Sequence, residues 1–294
     1  SKFAIFGDSC AFGSFVNDNS CWSSLISKKV KKNFINYSVP NYGFDQSLLK
    51  YENKKLDKNI ENIIIGVVPE TISRIQNIWK NYLEFGNIYG FKPRYIVKNN
   101  KLSLLKSPLQ SKRDFKKIKQ IIEKCKNNDF FYKRKYLVFK FKSIYFIDFL
   151  KNFTFNISLF YFLIKYKNNY TKLNKSIFTL VYKHNIRSAN DLYTHPESKK
   201  LFEKLIFKFV KVAKKRNHRP IIIIFPQKYD LELYKNKKNK FNEYFNKFKN
   251  KILIINLTED FSKVNYSKFF QNDKYGGHLN EKGNIFVAKK ILEK

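Results

Sequence analysis

A serine hydroxyl becomes a nucleophile only where a base can take its proton, so the pairs worth finding in this 294-residue chain join a serine to a histidine. Ser9 closes the run Phe6-Gly7-Asp8-Ser9, directly after the apolar stretch that begins at Lys2. A serine where a buried strand gives way to a loop lies where open parallel sheets present ligands, beyond the carboxyl ends of their strands. The same tripeptide also reads as an Asp/Ser helix cap. At the far end, Asp273-Lys274-Tyr275-Gly276-Gly277-His278-Leu279-Asn280 places two glycines beside a histidine. Glycines let the loop bend the imidazole toward a neighbour, and imidazole is the side chain best suited to general base work near neutral pH. The other histidines are His184, His195 and His218. His195 stands before Pro196 and reads as a helix start, and His218 sits in a basic turn, so both read as structural. Cys10, Cys21 and Cys125 are odd in number and lack Cys-x-x-Cys spacing, which argues against a disulfide framework or a zinc site. No metal and no cofactor is expected.

The elements that must bring Ser9 and His278 together read as a strand-helix alternation. Lys2–Phe6 is expected as a buried strand, followed by a helix from Cys21 to Lys31 and a second strand from Phe34 to Tyr37. Ser38–Phe44 reads as a turn, with Asp45 capping a helix that runs to about Leu56. Ile63–Val68 is a third strand stopped by Pro69. After a long interval, an amphipathic helix from Pro196 to Lys215 carries Leu201, Leu205, Phe209 and Val212 at helical spacing. Ile221–Phe225 is a strand, Leu231–Phe248 a Lys-rich helix, Ile252–Asn256 a strand and Glu281–Leu292 a closing helix. This order implies an α/β fold with a central parallel sheet and helices on both faces.

Three blocks resemble the SGNH (GDSL-like) hydrolase family: Phe6-Gly7-Asp8-Ser9, the turn glycine in Asn41-Tyr42-Gly43, and Gly277-His278-Leu279-Asn280 before the last helix. The resemblance implies a three-layer, flavodoxin-like fold over residues 1–294 as one domain, with a largely helical insertion or lid at about 78–195. It implies a serine esterase or O-acyltransferase working through an acyl-enzyme, with Ser9 as nucleophile and His278 as base. Family members place an orienting acid two or three residues before the histidine. Tyr275 and Gly276 stand there and cannot serve, so Asp273 is the nearest carboxylate, with a backbone carbonyl as the alternative partner. The backbone N–H groups of Ser9 and Gly43 would form the oxyanion hole. The family's Gly-x-Asn after the third strand is here Gly66-Val67-Val68, which removes a donor typically worth about 100- to 1000-fold in turnover. Asn41 and Gln46 are the nearest substitutes. Asp8, Glu70 and Arg74 are candidate substrate contacts, with an ion pair at a helix start as the other reading of Glu70 and Arg74. The segments 85–95 and 102–108 are similar to inserts in bacterial family members found beside surface-polysaccharide synthesis, which implies O-acetyl groups of a carbohydrate as substrate.

Composition frames these expectations. Lys plus Arg total 59 against 23 Asp plus Glu, a formal charge of +36 that draws any polyanion toward the surface. Only seven of the basic residues are arginines, which weighs against an evolved base or phosphate reader, so no specific nucleic acid partner is expected. Lys, Asn, Ile, Phe and Tyr are enriched together, as AT-rich coding would produce. No charged start followed by an apolar h-region opens the chain, and a cytoplasmic location is expected, with a membrane-peripheral one as the alternative. Ile144–Tyr166 is rich in aromatics but interrupted by Asp148, Lys151 and Lys165, too charged for a spanning helix. It is expected to pack on the sheet or cover the site as a lid, with an interfacial helix on an anionic membrane as the alternative. A second class of function is a catalytically weakened module that binds an anionic glycan or membrane surface.

Overall fold

The computed structural model describes residues 2–84, 86–141, 144–272 and 277–294. The chain divides into two compact units: Ser1–Ile72 with Ile186–Lys294, and Ser73–Asn185. The first is built on a parallel sheet of β1 (Lys2–Gly7), β2 (Phe34–Asn36), β3 (Ile60–Val67), β4 (Arg219–Ile224) and β5 (Leu253–Asn256). Its spatial order is β2-β1-β3-β4-β5, the doubly wound order of flavodoxin-like folds. Register follows the buried isoleucines, with Ile5 opposite Ile64 and Ile64 opposite Ile221.

Because strand side chains alternate faces, these near-continuous apolar runs supply two cores at once. Ile5, Ile64, Ile221 and Ile223 join Trp22 and Ile26 of α2 (Trp22–Val30), and also Val287 and Ala288 of the last helix. On the opposite face the Phe6 ring lies against Tyr51 of α3 (Phe44–Asn53). Tyr51 in turn meets Phe209 of α4 (Pro196–Lys215) edge-on. Helices therefore cover both faces, giving three layers.

Local chemistry moved two expected boundaries. Helix α3 is capped by Gly43, with Gln46 in the capping-box position, and Asp45 is buried in its first turn. The single helix expected over Leu231–Phe248 is two, α5 (Lys228–Lys235) and α6 (Phe241–Asn246), broken where Lys237 adopts left-handed backbone at φ 54°.

The second unit is not purely helical. Arg94–Lys98 and Lys101–Leu105 form an antiparallel hairpin, absent from the expected elements. Its turn, Asn99-Asn100, has both residues at positive φ (48° and 59°), as a type I′ turn requires. The helices Tyr145–Lys151 and Phe153–Lys165 follow, bent by 92° between them.

Candidate active site

Ser9 is delivered by a turn that only glycine permits. Gly7, at φ 156°, ends β1 so close to β3 that an added Cβ would collide with the Gly66 carbonyl and lie 2.5 Å from the Ala11 Cβ. A Cβ on Gly66 would meet Ala11 Cβ and the Phe225 ring at 2.8 Å each. Two glycines side by side at the strand ends thus let the short helix α1 (Ser9–Phe12) sit down on the sheet. Asp8 caps that helix, its Oδ1 accepting the N–H groups of Cys10 at 2.9 Å and Ala11 at 3.4 Å. Its Oδ2 accepts the Val68 N–H at 2.8 Å, and the side chain is fully buried. Asp8 is therefore no substrate contact, contrary to expectation: both oxygens are spent on backbone amides that tie α1 to the end of β3. Ser9 is the first residue of α1, a position whose N–H has no intrahelical acceptor and points out of the helix start.

The loop after β2 hangs on the same strand ends. The Tyr37 N–H donates to the Ile5 carbonyl at 2.7 Å and the Val39 N–H to the Gly7 carbonyl at 3.0 Å. The Phe44 N–H donates to Thr71 Oγ1 at 2.9 Å, fastening the start of α3 to the first residue of the short helix Thr71–Arg74 that follows β3. Between these ties, Asn41 is exposed in left-handed backbone at φ 70°, and Gly43 is buried. The Gly43 N–H makes a long 3.4 Å bond to Gln46 Oε1. Val68 contributes no side-chain donor: it is packed in the core with Ile64 and Trp22.

His278 arrives from the other end of the chain on a fixed arm. Asn280 caps α7 (Glu281–Leu292) through its Oδ1, which accepts the Gly283 N–H at 3.0 Å. Helix α7 is locked to α2, where the Trp22 N–H donates to Asn284 Oδ1 at 3.1 Å. Upstream of the cap, the Asn280 N–H donates to the Phe269 carbonyl at 3.0 Å and the Gln271 N–H to the His278 carbonyl at 2.8 Å. This short antiparallel bridge leaves the imidazole pointing at α1. His278 Nε2 lies 3.0 Å from Ser9 Oγ. With the ring proton on Nδ1, the serine hydroxyl donates to Nε2, the arrangement a general base needs. Asp273, the expected orienting acid, lies outside the described residues.

Two residues that sequence reasoning passed over complete this corner. Phe15 places its ring centroid 4.6 Å from that of His278, at 45°, while 53% of the residue stays exposed. Its backbone is left-handed at φ 71°, an uncommon state for a bulky side chain. Gln271 Nε2 donates to the Phe15 carbonyl at 3.1 Å, so one glutamine fixes both the histidine strand and the aromatic beside it. Neither residue carries a motif that could have marked it. A lone phenylalanine in an aromatic-rich chain reads as core.

Glu70 is buried in the first unit, close enough for its charge to act on Asp230. Arg74 belongs to the second unit. His218 Nδ1 is 2.8 Å from the Tyr51 hydroxyl, and burial together with the Arg216 charge holds its pKa below the usual value. His195 precedes the first turn of α4 with Nδ1 3.1 Å from Ser198 Oγ. Among the described residues, no group of three or more His, Cys, Asp or Glu side chains could hold a metal ion.

No family model matches the chain, and no curated protein matches it. Solved structures similar to it include a member of the lipolytic protein G-D-S-L family from Veillonella parvula DSM 2008. That likeness has 14% identity and a TM-score of 0.44, over 99% of this chain and 96% of that one. Another is the acetyl xylan esterase AlAXEase, with 13% identity and a TM-score of 0.45 over 100% and 98%. At such identities and scores, the chemistry rests on the geometry of this chain's own residues.

Proposed function

We propose that the chain is a serine esterase or O-acyltransferase that works through an acyl-enzyme on Ser9. The observation that carries this reading is the 3.0 Å separation of Ser9 Oγ and His278 Nε2 at the carboxyl edge of the sheet. Ser9 Oγ attacks the ester carbonyl while its proton passes to His278 Nε2. The Ser9 and Gly43 N–H groups receive the oxyanion, the latter by giving up its long bond to Gln46, with Asn41 beside them. The alkoxide then leaves with the proton from His278, and water or a sugar hydroxyl repeats the sequence to release the acyl group. Asp273 is the proposed partner of Nδ1.

The proposed substrate class is a small O-acyl group, such as acetyl, on a carbohydrate. The half-exposed Phe15 ring offers a flat apolar face beside the base, against which the C–H face of a sugar can lie. Release of acetate from an acetylated xylan oligosaccharide, lost in Ser9→Ala with unchanged circular dichroism, tests this reading. Acetate release that survives Ser9→Ala would refute it.

One observation favours the second reading, a catalytically weakened glycan-binding module. Val68 is buried in the core and its N–H is taken by Asp8, so no donor from that position reaches an oxyanion. That reading expects glycan binding indifferent to Ser9→Ala and no acetate release.

A further inference from the structure

The helix Phe153–Lys165 wears its apolar stripe on the outside. Phe153, Ile157, Phe160, Tyr161 and Ile164 are all exposed. Their spacing of 0, 4, 7, 8 and 11 residues gathers them, at about 100° per residue, into an arc of about 100° on one face. The inward side of the same helix holds Phe155 and Asn156, which are buried. In the preceding helix Tyr145 is 76% exposed and Phe146 70% exposed. The bend that joins the two helices is built in: Asn156, itself buried, donates from Nδ2 to the Phe149 carbonyl at 3.0 Å, and the rings of Phe149 and Phe153 meet edge-on. The segment expected to pack its aromatics away instead presents them, and a contiguous apolar surface of this kind marks a docking site.

Charge identifies the occupant. Between Asp129 and Asp191 the sequence holds twelve Lys and Arg residues and one acid, Asp148. Asp148 is fully buried, whereas Lys151, Lys165, Lys167, Lys172 and Lys175, which flank the stripe in sequence, are exposed. A second copy would bring an equally cationic border against this one, and like charges would oppose the contact. An anionic lipid surface answers both features, taking rings and aliphatic side chains below the headgroups and lysines among the phosphates. The 13-residue helix is about 20 Å long, short of the roughly 30 Å hydrocarbon core, and the 92° bend before it breaks its run with the preceding helix, so a place in the interface suits it better than a span. We infer that residues 144–175 form an interfacial anchor by which this protein docks on anionic membranes.

Co-sedimentation with vesicles decides the matter. The whole chain is expected to sediment with vesicles of equal parts phosphatidylcholine and phosphatidylglycerol at about 0.1 M salt, and to be released at about 1 M, where the Debye length falls from about 10 Å to about 3 Å. Pure phosphatidylcholine should retain at least about tenfold less. The triple substitution Phe146→Ser, Phe160→Ser, Ile164→Ser should weaken binding to the anionic vesicles by more than about tenfold, with circular dichroism unchanged. Reversal of Lys167, Lys172 and Lys175 to Glu, which leaves every apolar residue in place, should do the same. Wild-type protein that stays in the supernatant with anionic vesicles would overturn the inference. So would binding that neither variant weakens, or a concentration-dependent dimer that the serine variant dissociates without any vesicle binding.

Discussion

The carboxylate of Asp8 bridges the start of α1 and the end of β3, taking the Cys10 N–H on Oδ1 at 2.9 Å and the Val68 N–H on Oδ2 at 2.8 Å. This bridge sets the angle at which Ser9 leaves the sheet, and it consumes the amide that follows β3. Removing it strands buried donors, each of which costs about 1–3 kcal/mol when left unpaired. Asp8→Ala is expected to lower stability by at least about 3 kcal/mol in urea unfolding, and Asp8→Asn, which keeps one acceptor, by about half as much. If Asp8 acted on substrate instead, both variants would retain wild-type stability and lose affinity alone.

Gly7 makes the tightest demand on the backbone. Gly7→Ala forces a methyl group into the Gly66 carbonyl and against Ala11. It is expected to cost about 3 kcal/mol or more in stability, because the collision is with backbone rather than with a flexible side chain. The unfolding midpoint in urea provides the check.

Phe15 separates stability from activity. Its left-handed backbone (φ 71°) costs a non-glycine residue about 1–2 kcal/mol, which glycine recovers. Phe15→Gly should therefore stay within about 1 kcal/mol of wild-type stability and exceed Phe15→Ala by about 1 kcal/mol. Both should lower kcat/KM for the acetylated substrate by about tenfold, because the imidazole loses the ring that holds it.

Asp230 gives the fold a pH signature. Burial, with the charge of Glu70 adding to it, pushes its pKa up to about 8, against which the Gln227 N–H pulls it down. The folded chain keeps the proton that the unfolded chain releases near pH 4, so stability is full below about pH 4 and declines as pH rises through about 8. Asp230→Asn, which retains an acceptor for the Gln227 N–H, should flatten the urea midpoint across that window.

The sequence made legible whatever periodicity or punctuation encodes. The strands expected at Ile63–Val68 and Ile221–Phe225 form over Ile60–Val67 and Arg219–Ile224, and the helix Pro196–Lys215 stands where the pattern places it, because buried parallel strands and an amphipathic helix leave strong periods. The nearness of Ser9 and His278 was legible through glycines and spacing at the two termini. What was not legible depends on tertiary context. The Asn99-Asn100 hairpin sits inside a Lys-rich stretch whose composition masked its turn signal. The outward stripe of Phe153–Lys165 has the same period as an inward one, and sequence does not tell which way a stripe faces. The Phe15 carbonyl is tied to Gln271, a residue 256 positions away, a contact that no local pattern announces.

The most direct test is to treat the folded protein with a fluorophosphonate probe and locate the adduct by peptide mass spectrometry. One modified residue is expected, Ser9, with labelling abolished in Ser9→Ala and slowed by about 1000-fold or more in His278→Ala. Absence of any adduct in folded protein, or labelling of Ser9 at an undiminished rate in His278→Ala, would contradict it.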